Sequence, residues 1–235
     1  MASPPQAPRA IDLNADLGEE VTDDEGLLAV VTSANVACGY HAGNPAIMRA
    51  VCADAVRLGV SIGAQVSYAD RPRFGRVELD VAVDLLTEQI LDQVGTLVEI
   101  AAAEGGTVRY VKPHGALYHR VARDPDQAGA VLVGSGDLPV LGLPGAVVLE
   151  LAQASGRRSL LEGFPDRAYT PAGGLVARDQ PGAVFTDSAL IAARAVELAA
   201  AVDSVCVHGD TPGAVDHARA CRDALETAGF ELHGL

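Results

Sequence analysis

The sequence predicts an α/β fold closed as a (β/α) barrel, seven-stranded and irregular. Three observations predict it. Short apolar strands alternate with 3.6-periodic helices seven or so times, which requires a parallel sheet with crossover helices. Four helical patterns stop at a glycine ahead of the next strand, at Gly59, Gly105, Gly156 and Gly229. A left-handed residue is wanted there. The 235 residues, 49% of them apolar, suffice to close such a sheet around one core. A doubly wound open sheet is the structural alternative.

The strands follow in order. The first is Ile11–Asp16, then Ala34–Cys38, Ser61–Gln65 and Val108–Pro113. Leu138–Leu141 and Ser159–Glu162 are weaker, Ser204–His208 is clear, and Phe230–His233 is a terminal strand. Among the helices, the longest pattern runs from Asp80 to Glu104, with Val83, Leu86, Ile90, Val94, Leu97 and Ala101 on its apolar stripe. Asn44 and Pro45 supply an N-cap and first turn to a helix whose stripe is Ile47, Val51, Ala55 and Leu58. Thr211-Pro212 opens the last helix in the same manner. Residues 1–9 read as a disordered tail and 10–235 as a single domain, with no internal repeat.

Composition removes several functions. The net charge of −14 repels a phosphate backbone, so nucleic acid is not expected as a partner. No apolar run reaches the ~18 residues of a membrane span, and the first ten residues lack a signal-peptide core. A cytoplasmic protein is the expectation. Cys38, Cys52, Cys206 and Cys221 are read as reduced, with Cys52 and Cys221 in helix cores. Lys112 is the single lysine beside sixteen arginines.

Ligands of parallel α/β folds bind at the C-terminal strand ends. The chemistry-bearing residues of this chain collect there. The strands run out into Asn14 and Asp16, His41, Gln65, Lys112 and His114, Glu162 and Asp166, and His208 with Asp210. A lone rim histidine is more often structural than catalytic, but three on one rim with carboxylates and a lysine make a site. His119, His217 and His233 lie outside the rim motifs and are expected to be structural or at the surface. Two chemistries fit the rim, and the spacing leaves both open. Asp16, His41 and His114 can hold a divalent metal with a water left open. Alternatively, a carboxylate and a histidine can move protons without metal while Lys112 stabilises an anion. Arg71, Arg73 and Arg76 form a loop suited to clamping a carboxylate or phosphate, and Arg167 and Arg178 raise the same question. Asp210-Thr211-Pro212-Gly213 is a candidate anion site at a helix start. No P-loop and no GxSxG elbow occurs.

Long motifs carry a resemblance. IDLNADLGE at 11–19, SANVACGYHAG at 33–43, FGR at 74–76, VKPHGALY at 111–118, FPDRAY at 164–169, LVAR at 175–178 and VCVHGDTPGAV at 205–215 cover nearly the whole chain in order. It resembles the LamB/YcsF family, the A subunit of prokaryotic 5-oxoprolinase. The resemblance implies a barrel of the glycoside hydrolase/deacetylase type. It implies ATP-driven opening of the 5-oxo-L-proline lactam to L-glutamate, with ATP entering together with Mg, and work alongside B and C subunits. The family positions carry over onto Asn14, Asp16, His41, Lys112, His114, Asp166, Arg167, His208 and Asp210. Catalysis is expected at Asp16, His41, Lys112, His114, Asp166 and His208. Substrate binding is expected at Asn14, Arg76, Arg167 and Asp210. The chain departs from the family pattern at Gln65, where a histidine is expected, at Asn44, where an acidic residue is usual, and at His119, where the family has Asn. Two other readings stay open: a stand-alone metal-dependent amide hydrolase or deacetylase on the same barrel, and a non-catalytic scaffold that presents substrate.

Overall fold

A computed structural model describes residues 9–235. The tail expected at the N-terminus lies outside the described residues, apart from Arg9, which begins the first strand. Seven parallel strands close on themselves. They are β1 (Arg9–Leu17), β2 (Ser33–Ala37), β3 (Ser61–Val66), β4 (Val108–Pro113), β5 (Val140–Gly142), β6 (Ser159–Gly163) and β7 (Ser204–Val207). Their order is sequential, and β7 pairs with β1 as β1 pairs with β2. An eighth short strand, β8 (Phe230–Leu232), joins only Arg9–Ile11 of β1, outside the ring. The closed ring settles the choice between barrel and open sheet.

The helices are α1 (Asp24–Leu28), α2 (Pro45–Leu58), α3 (Val83–Ala103), α4 (Gly115–Val121), α5 (Pro125–Gly134), α6 (Val147–Ala154), α7 (Ser188–Ala199) and α8 (Ala214–Thr227). Asn44 caps α2 by accepting from the N–H groups of Ala46 and Ile47. The four expected stop glycines all have φ between 72° and 86°. Two expectations are corrected. The α3 stripe from Leu86 to Ala101 and Val51 and Ala55 of α2 are buried as expected, but the end residues Leu58 and Val83 are exposed, and α2 also buries Met48 and Cys52. Thr211-Pro212 does not open α8, which starts after Gly213 at φ 81° without a side-chain cap. Two helices, α4 and α5, link β4 to β5.

Strand alternation sorts the core into two zones. On β1, Leu13, Ala15 and Leu17 face the surrounding helices and join the main apolar cluster. Asp12, Asn14 and Asp16 face the barrel interior and are all buried. The interior is therefore polar and hydrogen-bonded rather than filled with aliphatic side chains. At its base Asp12 accepts from the hydroxyls of Thr32 (2.7 Å), Ser33 (2.6 Å) and Ser204. One layer up, Asn14 donates to Ser204 Oγ (2.6 Å) and Glu162 (3.1 Å), and accepts from Asn35 (2.7 Å). The Tyr110 ring crosses the barrel over Gly63, where a Cβ would collide with it, and its hydroxyl donates to Asn35 (2.6 Å). Tyr110, Leu141 and Leu160, with Leu235 against them, close the bottom. The top stays open.

Burial pushes the Asp12 carboxyl up to about 6, against the three hydroxyls that lower it. Its folded value thus lies above its unfolded one, so the native state holds the proton more tightly between about 4 and 6. Stability falls as pH rises through that window, by at most ~3 kcal/mol. Urea unfolding of wild type and D12N between pH 4 and 7 checks this. The wild type should lose stability relative to D12N as pH rises, and a pH-independent difference contradicts the assignment.

Candidate active site

The C-terminal strand ends surround a cavity of about 440 Å³. Its floor comes from β1 and β4. Asp16 and Lys112 end these two strands, and His114 follows at the start of α4. Lys112 Nζ lies 3.0 Å from Asp16, 2.8 Å from Glu162 and 3.1 Å from Cys206 Sγ. Each of its three N–H groups therefore has a neighbour. Burial works to lower Lys112, but Asp16, Cys206 and Glu162 reverse it and hold the ammonium well above the ordinary lysine range. Burial likewise favours the neutral Asp16 carboxyl, and the Lys112 ammonium overcomes it and holds the carboxylate well below its usual range. Asp16 is thus a buried, ionised carboxylate at the cavity floor.

One wall carries a histidine oriented by a carboxylate. His208 Nδ1 lies 2.8 Å from Asp166 Oδ2, which also accepts from the His208 backbone N–H (3.2 Å). That leaves Nε2 as the free ring atom. Phe164 stacks on the imidazole at 5.1 Å and fixes its plane. Burial raises Asp166, and His208 outweighs it, so the carboxyl sits below its ordinary value. The rim beside it is cationic. Arg76 and Arg178 both bind Asp210, the latter at 3.2 Å. Two guanidiniums on one carboxylate leave a net positive edge that faces the cavity.

A second cluster lies beside the floor. His41 and His114 stack at 4.0 Å with 14° between planes. Gln65 sits between them and Glu19. Its Nε2 lies 2.9 Å from both Glu19 Oε1 and His114 Nδ1, and its Oε1 lies 3.2 Å from His41 Nε2. Phe74 covers the pair edge-on, and its carbonyl lies 3.2 Å from His114 Nε2. Burial pushes His114 well below the usual imidazole range, so it is neutral. Phe74 holds a left-handed φ of 56°, a costly conformation for an aromatic residue that the packing imposes. The next residue is Gly75, where a Cβ would collide with Ser67 and press on His41.

The structure brings most of the expected residues to one place. Asp16, Lys112, His114, His208, Arg76, Arg167 and Asp210 all line the cavity. Asn14 does not; it lies one layer below, committed to Glu162, Ser204 and Asn35. His41 stacks behind His114, and Asp166 is behind His208. Arg167 reaches the cavity, but its guanidinium donates to the carbonyls of Val176 (2.6 Å) and Ala183 (3.3 Å) and braces the loop after β6. Of the arginine loop, only Arg76 reaches the cavity; Arg71 ties Gly43 and Glu20, and Arg73 pairs with Asp70. For the expected metal set of Asp16, His41 and His114, Asp16 Oδ2 comes within 3.9 Å of His114 Nδ1, but the structure groups a different carboxylate with the two rings. Asp16 is engaged by Lys112 and Asn35, and the carboxylate that meets the two histidines is Glu19.

A model of the LamB/YcsF family matches residues 11–235. The chain belongs to the LamB/YcsF family. Its relatives include proteins from Streptomyces avermitilis and Mycobacterium avium that are named as the A subunit of 5-oxoprolinase. The first is 52% identical over an alignment of 245 residues, covering 94% of this chain and 98% of that one. The second is 50% identical over 246, covering 94% and 97%. The crystal structure of a lactam utilization protein from Thermus thermophilus superposes with a TM-score of 0.90 at 36% identity, over 96% of this chain and all of that one. A family 4 carbohydrate esterase from Streptomyces lividans shares the fold alone, with a TM-score of 0.54 at 13% identity over 97% and 93%.

Several cavity residues of this LamB/YcsF chain are not evident from its sequence. Glu19 closes the first motif but lies past the end of β1, outside the set of strand ends. His119, expected to be structural or at the surface, is exposed and lines the cavity; its place on the short helix that begins just after His114 is the signal that could have found it. Arg178 is raised by the sequence as a candidate anion clamp, but nothing in the order of the chain says that it meets Asp210. The Lys112 triad yields a direct prediction. K112M leaves Asp16 and Glu162 buried without a counter-charge, which should cost about 3–5 kcal/mol. Urea denaturation of K112M checks it, and K112M/E162Q should recover part of the loss. A loss of about 1 kcal/mol or less, as for a surface pair, contradicts the picture.

Proposed function

We propose that this chain is the A subunit of an ATP-dependent 5-oxoprolinase and that the rim cavity is where the lactam of 5-oxo-L-proline opens to L-glutamate. The observation that carries the reading is near-complete mutual coverage, at about half identity, with proteins named for that role. The cavity chemistry supports it. The substrate is small and anionic, and the cationic edge of Arg76 and Arg178 suits its carboxylate. Asp210 holds the two guanidiniums together. The lactam then lies toward Asp16 and His208.

An unstrained five-membered lactam does not open readily in water, and this is the physical reason for coupling to ATP. In the proposed sequence, the γ-phosphoryl group of ATP, with Mg, passes to the lactam oxygen in the assembled A, B and C subunits. The carbonyl carbon becomes electrophilic. Water attacks it as His208 Nε2 takes a proton, with Asp166 orienting the ring. The ring C–N bond breaks as the ring nitrogen takes up a proton, leaving an acyl phosphate, and a second water then attacks that carbon and breaks its C–O bond to phosphate. The products are L-glutamate, ADP and phosphate. Asp16, held ionised, accepts a hydrogen bond from the lactam N–H. Lys112 acts through Asp16 and Glu162, because its own N–H groups are occupied. A cytoplasmic setting accords with the need for ATP.

Glutamate release from 5-oxo-L-proline by the reconstituted subunits tests this. Release should require ATP and this chain together. H208A should lower kcat by about 10²–10⁴-fold. R178A should raise KM by about 10–100-fold with a smaller change in kcat, the cost of one charge-assisted contact. Glutamate formed without ATP, or none formed with competent partners, sinks the reading.

A further inference from the structure

Glu19, His41 and His114 have the composition of a divalent-metal site. One donor atom from each lies within 4.8 Å of the others. His41 Nε2 is 3.7 Å and His114 Nδ1 is 3.5 Å from Glu19 Oε1. Two imidazoles and a carboxylate at such separations are a familiar zinc ligand set. The structure nonetheless puts a side chain where the three donors converge, and that side chain is Gln65.

The hydrogen-bond inventory decides what this means. The Gln65 amide must present its NH₂ to the Glu19 carboxylate, since a carbonyl there would face another acceptor. With Nε2 on Glu19, the same NH₂ reaches His114 Nδ1, and Oε1 faces His41 Nε2. His114 Nδ1 therefore accepts, and its Nε2 carries the hydrogen that goes to the Phe74 carbonyl. His41 Nε2 must donate, which leaves its Nδ1 as a bare acceptor, in accord with the absence of any partner for that buried atom. A ring nitrogen has one lone pair. The lone pair of His114 Nδ1 is taken by the amide, and His41 Nε2 offers a proton in its place. A metal would need both lone pairs. The residues present do not fit one.

We propose that Gln65 is the resident occupant of this cluster. Its amide replaces a cation, cross-links Glu19 with two neutral imidazoles in fixed tautomers, and excludes divalent metal from the wild-type chain; removing that one side chain opens a metal site. Position 65 is thus what separates a metal-free platform beneath Phe74 from a metal centre. The proposal goes beyond the lactam reading and is independent of it, because its readouts need neither substrate nor partner subunits.

Metal content of the purified full-length chain tests it. Wild type, Q65A and H41A/Q65A are equilibrated with zinc, then dialysed, and bound zinc is counted; cobalt(II) is added to parallel samples for visible spectra. Wild type should retain far less than one zinc per chain and give no tetrahedral cobalt spectrum. Q65A, with its circular dichroism unchanged, should retain about one and give that spectrum, and H41A/Q65A should lose both. One zinc per wild-type chain that H41A removes overturns the proposal. So does a folded Q65A that binds no more than wild type. Should Q65A fail to fold, the wild-type zinc count and its ¹⁵N-imidazole spectra decide. Absent zinc with both rings neutral and protonated at Nε2 supports the proposal, and stoichiometric zinc or an unprotonated His41 Nε2 overturns it.

Discussion

The Lys112 ammonium is the interaction on which the rest of the site depends. Burying Asp16 and Glu162 a few ångströms apart in a barrel interior is untenable without a cation between them. Lys112 supplies that cation from β4, which is hydrogen-bonded to neither β1 nor β6, and touches both carboxylates across the barrel interior. The result is a compact charged group with one net negative charge. It lets Asp16 stay ionised at the floor of a cavity where burial alone would neutralise it. Asn14, Asn35 and Tyr118 complete its shell, with Tyr118 donating to Glu162 at 3.1 Å.

This polar layer also explains the shape of the barrel. Aliphatic interiors are filled by dispersion contacts and tolerate some reshuffling. Here the interior positions of β1, β2, β4, β6 and β7 are joined by directional hydrogen bonds, so strand register and side-chain identity are coupled. Tyr110 over Gly63 and Leu235 against the base seal the lower end. Ligand access is thereby confined to the top, where the loops after β1, β3, β6 and β7 bring Glu19, Arg76, Arg178 and Asp210 around Asp16.

The fold is legible in the sequence because its signals are local. Glycine stops, the Asn44-Pro45 start and strand–helix alternation need no knowledge of distant partners. All eight strands occupy the predicted stretches. The candidate site is legible as a set of strand ends, since the topology sends every strand end to one rim. Its wiring is not. Whether Asp16 or Glu19 meets the histidines depends on a turn at Gly18 with φ 73°, which redirects Glu19 by geometry that spacing does not encode. Arg167 and Asn14 look like ligand-binding residues in the sequence, yet each is consumed by its own neighbours. Gln65 stands out as a departure from the family pattern, but its bridging of three partners emerges only when four segments are folded together.

Lys112 is the single lysine of the chain, so selective lysine labelling gives one side-chain signal to follow. The pH titration of its ¹³Cε resonance measures most directly whether a buried cation holds the site together. The account predicts no titration step up to the highest pH at which the chain stays folded. A step at or below the ordinary lysine value of ~10.4 contradicts it, because Asp16 and Glu162 would then not be holding the ammonium charged.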